Sequence, residues 1–76
     1  MVDLSRLDDH ARMHGWRYIW RTWREGAHWH ASVKAWKDGA VVGWFGSSTL
    51  ESEQMALDLA IDVLIKPPEK PAAPYP

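Results

Sequence analysis

Between His28 and Trp36 the chain reads HWHASVKAW, and taking alternate residues separates Trp29, Ala31, Val33 and Ala35 from His28, His30, Ser32, Lys34 and Trp36. Side chains of a strand point to opposite faces with a period of two. The first set is therefore a core face and the second faces water. Directly after this run, Asp38-Gly39 marks a tight hairpin, because the mirror-image turn needs positive φ, which these residues tolerate. A two-residue loop there pairs Lys37 with Ala40, Ala35 with Val42 and Val33 with Trp44. A second turn signal, Glu25-Gly26, pairs Thr22 with Trp29, Trp20 with Ala31 and Tyr18 with Val33.

Three strands are expected, near 16–24, 28–37 and 40–46. Paired residues share a face, so one face collects Trp16, Tyr18, Trp20, Trp29, Ala31, Val33, Ala35, Val42 and Trp44. The other collects Arg17, Ile19, Arg21, Trp23, His28, His30, Ser32, Lys34, Trp36, Val41 and Phe45. A one-residue slip at either turn reverses the strand beyond it.

Helices are expected on both flanks. Leu4, Leu7, Ala11 and His14 follow helical spacing over Asp3 to His14, with Gly15 as the cap. In residues 48–65, Ser48-Thr49-Leu50-Glu51 has the capping-box pattern. Met55, Ala56, Leu59, Ala60, Val63 and Leu64 make an apolar stripe. Leu57 and Ile61 lie off it and call for cover, from the first helix or from a homodimer partner. The outline is α+β, in the order α-β-β-β-α: a three-stranded antiparallel sheet with helices packed on one face. Residues 1–66 form a single domain, and 67–76, PPEKPAAPYP, read as a disordered tail.

Seventy-six residues bury only about 60% of the surface of the unfolded chain. No cysteine is available for a disulfide, so the six tryptophans are the natural source of core area. The first fifteen residues are charged and contain neither a signal-peptide core nor a membrane span. A cytoplasmic, membrane-free protein is expected. Charge is unevenly spread: residues 16–37 carry five bases against Glu25, a net of +4, and residues 48–65 carry four acids and no base. Such asymmetry speaks of partners more than of fold.

The outward set can be read in three ways. Tryptophans can simply pack over arginine stems. Cations can meet duplex nucleic acid. Trp and Arg can anchor a protein partner. The stretch HWHASVKAWKDGAVVGWFGSSTLESEQMALDLA, through Trp29, Ala31, Val33, Gly39, Trp44, Gly46, Ala56 and Ala60, resembles the plant Apetala/ethylene-response DNA-binding domain and the arm-binding domain of phage integrases. That resemblance implies a sheet entering the major groove, with Arg17, Arg21 and Lys34 as the outward bases. The element order also resembles a double-stranded-RNA-binding domain, through Gly43, Gly46, Ala56, Ala60 and Leu64. The places of that family's lysines fall near Ser52, Glu53 and Gln54, so this likeness implies protein contact in place of RNA.

The expected function is a non-enzymatic binding module using Arg17, Arg21, Trp23, His28, His30, Lys34 and Trp36, with duplex nucleic acid as partner. The alternative is a protein partner, as for a phage-encoded inhibitor of a bacterial defence complex or a dimerising adaptor. His10, His14, His28 and His30 can be drawn as a metal site, but nothing in the sequence brings the two pairs together and no carboxylate is placed to orient the imidazoles. Neither metal nor cofactor is expected. Adjacent Asp8 and Asp9 diverge on a helix, and no catalytic motif occurs.

Overall fold

Asp38 and Gly39 both take positive φ, 53° and 81°, as the mirror-image turn demands at both central positions. This turn joins two strands of the sheet. The structure, a computed structural model, describes residues 2–66; the proline-rich segment 67–76 lies outside the described residues. Its elements are α1 (Ser5–His14), β1 (Arg17–Glu25), β2 (His28–Lys37), β3 (Ala40–Thr49) and α2 (Glu53–Ile65). The antiparallel sheet has the order β1-β2-β3. The expected α-β-β-β-α layout is what the chain adopts.

The first hairpin turns at Gly26-Ala27, one residue later than the sequence suggested, with Gly26 at φ 60°. Glycine first in a two-residue loop is the other favoured hairpin geometry. Moving the loop by one residue moves the pairing by two, so Thr22 faces Ala31 and Trp20 faces Val33. An even slip leaves every side chain on its expected face.

The second hairpin departs more deeply. Trp36 pairs with Val41, but Ala35 pairs with Gly43, leaving Val42 as the extra residue of a β-bulge. Beyond the bulge the faces exchange. Phe45, expected outside, packs against the core, and Trp44, expected inside, is 66% exposed. The reason lies at Gly43: a Cβ there would sit 2.7 Å from Phe45 Cε2 and 2.8 Å from Leu64 Cδ1. An unbulged ladder would put Val42 in this spot. Its branched side chain does not fit under α2.

Both helices cover the face of Ala31, Val33 and Ala35. These join Leu7, Ala56, Leu57, Ala60, Ile61 and Leu64 in one buried cluster. Small residues on sheet and helix let the two layers approach closely, and no tryptophan is fully buried. Trp16, Tyr18 and Trp29 instead pack around the margin of that core.

Three expectations about the helices are corrected. α2 starts at Glu53 and not near Ser48, because Ser47, Ser48 and Thr49 continue β3 opposite Ala31, His30 and Trp29. Its cap is Ser52, whose Oγ accepts from the Met55 N–H at 3.1 Å, so the Ser48 capping box does not form. Leu57 and Ile61 are fully buried at the centre of the inward stripe, while Met55 and Leu59 are partly exposed. A dimer contact through Leu57 and Ile61 has no exposed side chain to use. α1 ends as expected, Gly15 taking φ 71° and its N–H bonding Ala11 O. Asp3 accepts from the Ser5 N–H and hydroxyl at 2.9 and 2.7 Å, and Arg6 ties α1 to Asp58 and Asp62 of α2.

Candidate docking face of the sheet

The outer face is built in cross-strand rows, one from each register step. Arg17, Trp36 and Val41 form the first row, and Ile19, Lys34 and Trp44 the second. Arg21, Ser32 and Gly46 form the third; Trp23, His30 and Ser48 the fourth; Glu25 and His28 the last. All seven residues singled out in the sequence, Arg17, Arg21, Trp23, His28, His30, Lys34 and Trp36, stand on this one face. Neither helix covers it, because the cluster they share with the sheet is made of inner-face residues.

Within and between the rows, cations and rings hold one another. The Lys34 ammonium lies 4.3 Å from the Trp44 ring centroid and 5.2 Å from that of Trp36. Arg21 sits 4.6 Å over Trp23, which stacks on His30 at 5.2 Å with 14° between the planes. His30 Nε2 is 3.1 Å from Glu25 Oε1. Each cation–π contact at an exposed site is worth about 0.5–1 kcal/mol, enough to bias rotamers without sealing the charge. The long side chains are thus partly ordered in advance, which lowers the entropic cost of docking. The third row carries only Ser32 and Gly46 on β2 and β3, with Arg21 at its β1 end.

Trp44 is the site residue that sequence reasoning missed. The bulge follows from the tight place of Gly43 against Phe45 and Leu64, and Leu64 is distant in sequence. Ile19 and Val41, 60% and 54% exposed, extend the apolar part of the same end. Beside them Arg17, Tyr18, Ile19, Trp36 and Gly39 line an open concavity of about 530 Å³.

The two histidine pairs are far apart in role. His10 and His14 lie one turn apart on α1, ring centroids 4.3 Å from each other and 4.8 and 5.5 Å from Trp16. Burial, and then the neighbouring His14, pull the His10 imidazole below its ordinary 6.5. His28 and His30 occupy the end of the outer face. Among the described residues no three His, Cys, Asp or Glu side chains converge as a metal would require. Asp8 accepts from the Tyr18 hydroxyl at 3.2 Å and pairs with Arg12 at 3.1 Å, a structural use. No helix among the described residues is long and apolar enough to cross a membrane. Comparison with protein-family models, curated proteins and solved structures finds no match for this chain.

Proposed function

We propose that the protein is a non-catalytic binding module that docks duplex nucleic acid on the outer face of its sheet. One observation carries the reading: Arg17, Arg21 and Lys34 share an uncovered face with Trp23, Trp36 and Trp44, while the acids of α2 belong to the opposite layer. Arg17 and Arg21, four residues apart on one strand, are separated by about 13 Å at strand rise. A major groove is about 12 Å wide. The two guanidiniums can reach phosphates on opposite groove walls, and the Lys34 ammonium, in the row between them, adds a third phosphate contact. The likeness to sheet-type DNA-binding domains noted in the sequence supports the same geometry.

Three phosphate contacts give a log–log salt slope of about −2.7. Titration of labelled duplex DNA and duplex RNA at low salt tests this: binding with that shallow slope, lost in the Arg17→Ala/Arg21→Ala double variant, is the expected result. No binding to either duplex at low salt contradicts it.

A second reading is supported by Trp44, Ile19 and Val41, which give the hairpin end of the face more apolar surface than phosphate contact requires. Trp and Arg dominate protein interfaces, so a protein partner, of the kind an anti-defence inhibitor blocks, fits that end. It requires that Trp36→Ala or Trp44→Ala release a protein recovered in stoichiometric amount.

A further inference from the structure

The two edges of the sheet are guarded differently. β1 carries Arg17, Arg21, Arg24 and Glu25, whereas β3, AVVGWFGSST, has neither a charged residue nor a proline. An edge strand offers a row of unpaired N–H and C=O groups, and proteins protect such rows with charges, prolines or bulges. The bulge at Val42 guards only the hairpin end. From Gly43 to Thr49 β3 keeps one unbroken register with β2, and among the described residues no strand pairs with its far side.

Apolar groups flank this edge. Trp44 stands on its outer side, and α2, which rests on β2 and β3, leaves Leu59 39% exposed. At 3.6 residues per turn, Leu59 lies on the flank of α2 away from Gln54 and Asp58. Those two residues face Asp3 and Arg6, so Leu59 lies toward β3.

We propose that this edge is a homodimer interface, in which β3 of one copy pairs antiparallel with β3 of a second to make a six-stranded sheet. Self-pairing suits β3 because it sets no like charges opposite each other. Centred on its middle residue, β1 would bring two Arg21 side chains together, which is unfavourable. Strand pairing alone covers little area, and a specific interface buries about 1,000 Å² or more; Trp44 and Leu59 add apolar surface beside the strand. Antiparallel pairing of identical edges requires a two-fold axis normal to the sheet. Both outer faces then look the same way. Taken with the nucleic-acid reading, on which this consequence alone rests, dimerisation doubles the available cations and steepens the salt slope from about −2.7 to about −5.4.

Sedimentation of the full chain over a wide concentration range is the test. The expected mass is twice 8.7 kDa, dissociating on dilution, and both Trp44→Glu and Ser48→Glu give folded monomers by circular dichroism. Amide exchange reads the same edge without substitution: protection in β3 rises with protein concentration. A wild-type monomer at the highest concentration, or a dimer that persists in both folded variants, overturns the proposal. A monomer that still binds duplex with the shallow slope overturns the dimer and leaves the docking face standing. A dimer that ignores duplex supports the interface and removes the nucleic-acid reading.

Discussion

A Cβ at Gly43 would meet Phe45 Cε2 at 2.7 Å and Leu64 Cδ1 at 2.8 Å, so those side chains must shift to admit one. Gly43→Ala is expected to cost about 1–3 kcal/mol, the usual penalty of overpacking, read as a lower denaturation midpoint. A second residue-scale expectation concerns acid. His10 has a lowered pKa in the folded state, through burial first and His14 second, so the native form resists protonation more than the unfolded chain does. Its contribution is intact above 6.5 and is lost as pH falls through that value toward the lower folded-state pKa. Melting temperatures between pH 7 and pH 5 should therefore fall less in His10→Gln than in the wild type. An equal fall in both would show that His10 carries no such penalty.

Among the elements, α2 discriminates most sharply between what sequence suggests and what packing selects. Ser52→Ala removes the cap and is expected to cost about 1 kcal/mol, while Ser48→Ala leaves helix stability unchanged. Leu57→Ala should cost about 2–5 kcal/mol, and Leu59→Ala under about 1 kcal/mol, since Leu59 remains partly in water. Chemical denaturation of the four variants measures both pairs.

The phase of β1 and β2 was legible because alternation from His28 to Trp36 is strict and the turns carry glycine; even a two-residue slip in pairing preserves it. The phase of β3 was not, since its bulge depends on the space that Phe45 and Leu64 leave at Gly43, and Leu64 lies in α2, beyond any local pattern. The start of α2 was ambiguous for a different reason. Ser48 heads a capping-box pattern, and only the pairing of residues 47–49 with β2 moves the cap to Ser52. Its stripe was hard to phase because the helix is apolar on most sides. Ala56, Ala60 and Leu64 fit both candidate faces, so Leu57 and Ile61 were set on the wrong one. The seven outward residues survived these errors because all of them lie on β1 and β2.

At the scale of the molecule, the fold separates two layers of opposite character. Arg17, Arg21 and Lys34 stand on the open side of the sheet, and four acids lie in or just before α2, where Asp58 and Asp62 are partly engaged by Arg6. A bipolar domain of this kind is steered into orientation as it approaches a polyanion. The tryptophans divide with the layers: Trp23, Trp36 and Trp44 are on the outer face, while Trp16 and Trp29 border the core and Trp20 shares their side of the sheet. The six indole N–H resonances in a proton–nitrogen NMR spectrum therefore form a built-in map. On adding duplex DNA at low salt, the resonances of Trp23, Trp36 and Trp44 should shift while those of Trp16, Trp20 and Trp29 stay in place. Movement confined to the second group, or no movement in any of the six at saturation, would contradict the assignment of this face.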